Sequence, residues 1–156
     1  MEKVKHILVI SRMTQHCRDA VRCGVSLAKK YGAELSVMHL ISNPVDMEAV
    51  NAPGLFLKEE YKNYLSIQEE AREAIDKALQ RVVKDGLPVK VMVKDGEPVK
   101  EILGAVKELG ADLLIMLFHE EGRLEHLLFG GDVDGVIRKM PCSILLVKKE
   151  PEPVKW

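Results

Sequence analysis

The 156-residue sequence is poor in cysteine and in aromatic residues, and its net charge is close to zero. Its three cysteines, at positions 17, 23 and 142, are odd in number and lack paired spacing, which argues against a disulfide framework. A reducing, cytoplasmic compartment is therefore expected. Aromatic residues make up only 4% of the chain and the formal net charge is −1. Nothing in this balance draws the chain to nucleic acid or to an anionic membrane surface.

Long hydrophobic runs are also missing, since no apolar segment approaches the roughly 20 residues that a membrane-spanning helix needs. The N-terminus is charged, enters a short apolar run at once and lacks a small-residue cleavage site, so no signal peptide is expected. Hydrophobic residues nevertheless account for 47% and charged residues for 30%, as in ordinary globular domains. One domain over residues 1–149 is expected, followed by a Pro-containing tail at 150–156.

The chain does contain a regular alternation of short apolar runs and amphipathic segments. Short β-branched runs predict strands, and apolar residues spaced three and four apart predict helices. This alternation predicts an α/β fold: a single doubly wound domain whose five-stranded, mainly parallel sheet carries two helices on each face. The predicted strands cover residues 5–11, 33–41, 89–93, 113–118 and 144–147. The predicted helices run from the N-cap at Thr14 to 31, from 58 to 84, from the turn at 94–98 to 109, and from 130–132 to 140, with a long loop at 42–57.

The last predicted strand ends the domain and is therefore expected at an edge of the sheet. Residues 143–147 carry only Ser143 as polar cover. An apolar edge strand is either protected or used for pairing with another chain. The sequence therefore predicts a homodimer formed through the C-terminal edge strand.

A binding site is expected in the loop that follows Phe118, because ligands of open α/β sheets bind outside the carboxyl ends of the strands. This loop contains His119, and it ends at Gly130-Gly131, where the N–H groups of a following helix can hold an anion. His119 is the histidine best placed to act in a site. A role in capping or bridging the loop is the equal alternative.

Motifs for catalysis or metal binding are missing from this region. Ser11 ends a predicted strand, but no Gly-x-Ser-x-Gly elbow surrounds it. The two histidines and three glutamates of residues 119–126 fit no zinc spacing, and a solvated loop is the better interpretation. His39 lies within a predicted strand, where a buried, hydrogen-bonded histidine is expected. The sequence therefore predicts neither a catalytic residue nor a metal site.

Three segments together resemble the universal stress protein family, the UspA-like group. They are the opening strand and helix at 5–40, VKDGEPVKEILGAVKELGADLLIM at 93–116, and GGDVDGVIRKMPCSILLVKK at 130–149. Their order and spacing match the family over about residues 5–149. The resemblance implies a cytoplasmic adaptor of stress physiology rather than an enzyme. Its output would be interaction with a protein partner that the sequence does not identify.

The resemblance also locates a nucleotide pocket, because part of the family binds ATP through the pattern G-x-x-G, nine residues, G-[ST]. In this chain the four defining positions are Leu117, Glu120, Gly130 and Gly131, so only Gly130 matches outright. An Asp that contacts the nucleoside in the family's binders corresponds to Arg12, whereas other pocket positions keep the family's character. The implied vestigial pocket consists of Arg12, Leu40, Met116, His119, Gly130 and Gly131.

These departures are expected to weaken ATP binding. Glycines permit positive φ and close approach of N–H groups to phosphate, which leucine or glutamate prevents. Four acids also lie near the phosphate path and oppose two arginines: Glu120, Glu121, Asp132, Asp134, Arg12 and Arg123. No cofactor is therefore expected. The first alternative is a switch that binds ATP or AMP in a pocket rebuilt around Arg12 and Arg123, and the second is a small enzyme of a related fold.

Overall fold

The structure is a computed structural model that describes residues 3–11, 17–41, 55–118 and 132–148. Within these ranges the strands are β1 (His6–Ser11), β2 (Glu34–Ile41), β3 (Val89–Asp95), β4 (Leu113–Phe118) and β5 (Ser143–Lys148). The helices are α1 (Cys17–Tyr31), α2 (Leu55–Lys84), α3 (Pro98–Leu109) and α4 (Asp132–Lys139). All strand pairs are parallel, and the strand order in the sheet is β3-β2-β1-β4-β5.

An apolar cluster covers each face of the sheet, because successive side chains of a strand point to opposite faces. On one face, Val9 of β1 belongs to a cluster with residues of α1 and α2, and we call this the α1/α2 face. On the other, Leu8 belongs to a cluster with residues of α3 and α4, the α3/α4 face. Two helices therefore cover each face, and the predicted doubly wound fold is confirmed. The predicted position of β5 at an edge is confirmed as well.

Two predicted boundaries are wrong. Helix α2 begins at Leu55 rather than at 58, because the three residues before 58 are apolar and contain no helix breaker, so the loop predicted at 42–57 is too long. Strand β3 continues to Asp95 rather than ending at 93, because Leu40 and Ile41 of β2 still pair with Lys94 and Asp95. In both cases the observed helix or strand is longer than predicted, because the residues just outside the predicted boundary are compatible with the same secondary structure.

The predicted ends of α1 and α3 are confirmed by their backbone geometry. Gly32 follows α1 with a φ of 63°, and Gly110 follows α3 with a φ of 62°. Glycine adopts this left-handed conformation without the steric cost that a Cβ imposes. At the other end of α3, the carboxylate of Glu97 accepts hydrogen bonds from the N–H groups of Val99 (3.1 Å) and Lys100 (2.8 Å). This N-cap stabilises the turn that links β3 to α3.

Gly24 allows α1 to lie directly against the centre of the sheet. A Cβ at this position would overlap Cγ2 of Val9 and would lie 3.3 Å from Cδ1 of Leu35. Val9 is buried and β-branched, so its side chain has little freedom to move away. The absence of a side chain at Gly24 therefore lets α1 pack closely on the sheet.

Asp112 joins the amino ends of β1 and β4, at the end of the sheet opposite to the predicted site. Its Oδ2 accepts hydrogen bonds from the N–H groups of Lys5 (2.8 Å) and His6 (2.9 Å). These two donors hold the pKa of the Asp112 carboxylate below its ordinary value. Nearby, Nε2 of His6 lies 2.8 Å from Oγ of Ser36 on β2. Side-chain hydrogen bonds thus connect β1 to β2 and to the start of β4 at the amino end of the sheet.

Candidate functional site

The carboxyl ends of β1 and β4 form the switch point of the sheet. From β1 the chain winds outward to β2 and β3, and α1 and α2 cover one face of the sheet. Strands β4 and β5 lie on the other side of β1, and α3 and α4 cover the opposite face. The β1–β4 pairing runs only from Ile7↔Leu113 to Val9↔Ile115, although β1 continues to Ser11 and β4 to Phe118. We call the region beyond these pairs, between the ends of β1 and β4, the crevice, because ligands of doubly wound domains bind at this point of the sheet.

Two of the predicted pocket residues lie beside this crevice, on the α3/α4 face. Leu40 of β2 and Met116 of β4 are buried in the same apolar cluster, on either side of Ile10 of β1. The cluster also contains Val133, in the first turn of α4. The fold therefore brings Leu40 and Met116 together with the start of the helix that the sequence placed after Gly130-Gly131. The other predicted pocket residues, Arg12, His119, Gly130 and Gly131, lie outside the described residues.

Leu117, the residue at the pattern's first glycine position, is part of the hydrophobic core. Its side chain points to the α1/α2 face and is buried in the cluster that contains Val9 and Ile115. The position therefore holds apolar packing on the face opposite to Leu40 and Met116. Strand alternation could have revealed this role from the sequence, since residues 113, 115 and 117 share one face. Glu120, at the second glycine position, lies outside the described residues.

His39 precedes Leu40 at the carboxyl end of β2 and is buried against α2. Its Nε2 lies 3.2 Å from Oδ1 of Asp76, and Nε of Arg72 lies 3.7 Å from Oδ2 of the same carboxylate. The expected buried, hydrogen-bonded histidine is thus confirmed at Nε2, whereas Nδ1 has no hydrogen-bond partner within the described residues. Burial lowers the pKa of His39, although the Asp76 carboxylate opposes this shift. His39 is therefore neutral at pH 7.

The neutral state of His39 predicts a loss of stability in mild acid. The unfolded chain takes up a proton near pH 6.5, whereas folded His39 does so only at lower pH. The free energy of unfolding is therefore not reduced by His39 above pH 6.5. It falls as the pH drops from 6.5 through the pKa of folded His39, because only the unfolded chain binds the proton in this range. The slope is at most about 1.4 kcal/mol per pH unit. We expect urea unfolding between pH 7.5 and about pH 5 to show a smaller pH dependence in His39→Gln than in the wild type. Equal dependence in the two proteins would contradict this assignment.

The remaining titratable candidates are structural in the described part of the chain. Cys23 and Cys142 are free thiols, and burial raises the pKa of each, so both stay protonated at neutral pH. No group of three or more histidine, cysteine or acidic side chains within the described ranges is arranged to hold a metal ion. The cluster at 119–126 lies outside those ranges. None of the helices described is long and apolar enough to cross a membrane.

Asp76 is the site-adjacent residue that sequence reasoning missed. It lies in a helix whose surface is crowded with charged residues, and 37 positions separate it from His39. No local pattern distinguishes it from its charged neighbours. Only the packing of α2 across β2 selects this carboxylate as the partner of the histidine.

An open parallel sheet wound in both directions from a switch point defines a doubly wound α/β domain. Within the described residues, the arrangement of four helices around five strands agrees with the family resemblance found in the sequence. The chain belongs to the universal stress protein family, whose family model matches residues 3–148.

Individual members of the family are similar to this chain in sequence and in structure. Universal stress protein MJ0577 of Methanocaldococcus jannaschii is 30% identical over 94 residues, which cover 59% of this chain and 58% of that protein. Its solved structure has a TM-score of 0.66 and covers 96% of this chain and 99% of that chain at 23% identity. Universal stress protein Sll1388 of Synechocystis sp. is 27% identical over 150 residues, 91% of this chain and 96% of that protein.

A third similar protein was solved with a nucleotide. It is a universal stress protein in complex with cAMP, with a TM-score of 0.57 and 19% identity over 94% of this chain and 98% of that chain. At this level of identity the likeness establishes the fold that the two chains share.

Proposed function

We propose that this protein acts as a dimeric, non-catalytic interaction module of the cytoplasmic stress response and does not depend on bound ATP. Membership of the universal stress protein family supports the stress-response role. The observation that carries the non-ATP assignment is Leu117, which occupies the first glycine position of the binding pattern and packs in the core.

Charge supports the same conclusion at the start of α4. Asp134 belongs to its first turn, where its charge stabilises the positive end of the helix dipole and repels a polyphosphate. Asp132 is a further acid at the first position of the helix sequence. Glu120 and Glu121 add two more acids in the adjoining sequence. Arg12 and Arg123 are the two nearby basic residues in the sequence, so acids outnumber them by two to one. A helix N-terminus that already carries its own anions is a poor phosphate site.

Thermal unfolding in the presence of nucleotides tests this proposal. We expect ATP, AMP or cAMP at about 1 mM to change the melting temperature by less than about 1 °C, because only a ligand that binds the folded state stabilises it. The double variant Glu120→Gly/Gly131→Ser restores two pattern positions without touching the core residue Leu117. This variant should show a larger nucleotide-dependent shift than the wild type. A shift of several degrees in the wild type would overturn the non-binding assignment.

The β5 edge supports the dimer. Within the described residues β5 pairs only with β4, and its sequence SILLVK is mostly apolar. Large hydrophobic side chains beside this edge are exposed, including Leu146 at 38% and Phe118 at 54%. Ile137 and Met140, at the end of α4 and just beyond it, are exposed as well. A second copy paired along β5 would cover an apolar surface that is costly to leave in water.

Replacing Leu146 by glutamate is expected to convert the dimer into a folded 17.5-kDa monomer. The substitution places like charges at the proposed two-fold interface, and the partly exposed side chain can carry the charge in the monomer. Sedimentation equilibrium measures the mass. Val83→Glu is the matched control, because Val83 of α2 is also exposed, at 48%, and lies beside β3, at the edge of the sheet opposite to β5. A wild type and Leu146→Glu variant of equal mass would place the interface elsewhere or show that none exists.

A nucleotide switch remains the second candidate function, favoured by the open crevice between β1 and β4 and by the cAMP complex of a protein with the same fold. In that case Arg12 and Arg123 would replace the phosphate contacts that glycine N–H groups make in ATP-binding members. The same unfolding experiment separates the two. A nucleotide-dependent shift that Arg12→Ala/Arg123→Ala abolishes would support the switch.

A further inference from the structure

The second edge of the sheet, formed by β3, carries an exposed apolar groove. Within the described residues β3 pairs only with β2, so its outer backbone edge is available for hydrogen bonding. Between this edge and α2 lies a groove whose apolar lining includes Leu79, Val83 and Val91. Val83 is 48% exposed and Val91 44%, and Val93 farther along the strand is 39% exposed. Val91 and Val93 form an exposed apolar row on β3, which we call the valine row, and Val83 of α2 lines the groove beside it. Apolar side chains beside an unpaired strand edge mark a surface suited to strand addition.

The two faces of the β3 edge differ in chemistry because of strand alternation. Val91 and Val93 lie on the α1/α2 face, where the groove runs. Lys90 and Lys94 alternate with them and lie on the opposite face, on either side of Met92, which packs against the α3/α4 cluster. A strand added along this edge would therefore meet valines with one set of its side chains and lysines with the other.

One acidic and one basic side chain line the groove itself, Asp76 and Lys84. Asp76 lines it, but its carboxylate is already bonded to His39 and paired with Arg72. Lys84 lines the groove at the end of α2. Lys90 and Lys94 lie on the opposite face of β3, so ammonium groups stand on both faces of the β3 edge and favour an acidic ligand.

These lysines disfavour a second copy of the chain as the occupant. Antiparallel pairing of two β3 strands about Met92 would set Lys90 of each copy opposite Lys94 of the other, and like charges directly opposite destabilise a ladder. Lysines on an edge strand are a common means of preventing self-association. Strand β5 differs, since its one lysine stands at its end.

We propose that the β3 edge binds an extended segment of a partner protein in which apolar and acidic residues alternate. The segment adds a strand to the sheet, with its apolar side chains on the valine row and its carboxylates beside Lys90 and Lys94. The inference rests on the proposed role as an interaction module, and it names the chemistry of the partner. It assigns separate edges to separate tasks, with β5 pairing the two copies and β3 receiving the partner.

Two synthetic peptides test the proposal against the full-length protein. One is a fluorescein-labelled, end-capped octapeptide of alternating valine and glutamate, and the other alternates valine and lysine. We expect the acidic peptide to bind at least about tenfold more tightly than the basic one in fluorescence anisotropy, since each charge pair across strands contributes to the difference. Amide hydrogen exchange should slow at residues 89–95 when the acidic peptide is bound.

A charge reversal supplies the decisive comparison. Lys90→Glu/Lys94→Glu is expected to weaken acidic-peptide binding about tenfold and to strengthen binding of the basic peptide. Lys100→Glu/Lys107→Glu is the matched control, because it changes the net charge equally at exposed positions of α3. The control should bind both peptides as the wild type does. Melting temperatures and circular dichroism confirm that each variant is folded.

Several outcomes would overturn the proposal. They are no binding of the acidic peptide, equal binding of the two peptides, or equal loss of binding in both double variants. A change in oligomer mass on charge reversal at Lys90 and Lys94, measured without peptide, would show instead that the edge pairs with a second copy. The dimer and nucleotide measurements involve neither β3 nor the peptides, so failure here leaves the proposed function to be judged on its own tests.

Discussion

Leu117→Ala is expected to lower the free energy of unfolding by about 2–5 kcal/mol, the range found for deleting a buried leucine side chain. Leu117 is buried on the α1/α2 face of β4, one strand from the edge, so its removal leaves a cavity that the sheet closes only partly. The corresponding fall in melting temperature is roughly 5–15 °C for a domain of this size. Urea unfolding with an unchanged m-value measures the difference directly.

Val93→Ala is the matched control, because Val93 is a strand residue with a partly exposed side chain. We expect this change to cost less than about 1 kcal/mol. Similar costs for the two variants would show that Leu117 does not support the core. Leu117→Gly, which restores the glycine of the nucleotide-binding pattern, should be at least as destabilising as alanine, since glycine also weakens a strand. The proposed loss of ATP binding in this chain would then involve a core position as well as a loop.

Gly24→Ala is expected to destabilise the protein by about 1–3 kcal/mol, the usual cost of forcing a methyl group into a packed core. The new Cβ would overlap Val9 Cγ2 in the central strand, and it would also approach Leu35 and Ile115. Helix propensity alone predicts the opposite, because alanine in a helix interior is favoured over glycine by about 1 kcal/mol. A measured decrease in the free energy of unfolding would therefore come from the packing of α1 on the sheet and not from helix propensity.

Gly104→Ala supplies the control with the same chemical change. Gly104 lies inside α3, is exposed, and has no atom within 4 Å of the position that its Cβ would take. Here helix propensity acts without a clash, so we expect stability to rise by about 0.5–1 kcal/mol. Thermal unfolding of the two variants should move in opposite directions. If both rise, α1 has room to shift away from β1, and the close packing at Gly24 is not a constraint.

Most helices and strands could be predicted because their signals are local. The buried run at 113–118 matches β4, and the glycines at 32 and 110 end α1 and α3 as predicted. The predicted boundaries were wrong where no local signal fixes the end of a helix or strand, as at the start of α2 and the end of β3. For the site, the structure places Leu40 and Met116 near the carboxyl ends of β2 and β4, at the edge of the sheet where the sequence predicts the pocket, and the pocket itself stays a prediction. Arg12, His119, Gly130 and Gly131 remain predictions, since they lie outside the described residues.

By itself the sequence determined the alternation of strands and helices, the two-sided burial of the sheet and membership of the universal stress protein family. These depend on the spacing of apolar residues and on turn chemistry, which act over a few positions. The tertiary structure alone decided which strands became neighbours, and with them the crevice between β1 and β4, the Asp76 partner of His39 and the valine row at the β3 edge. Contacts between residues tens of positions apart depend on how helices and strands pack in three dimensions, and no local pattern encodes that packing.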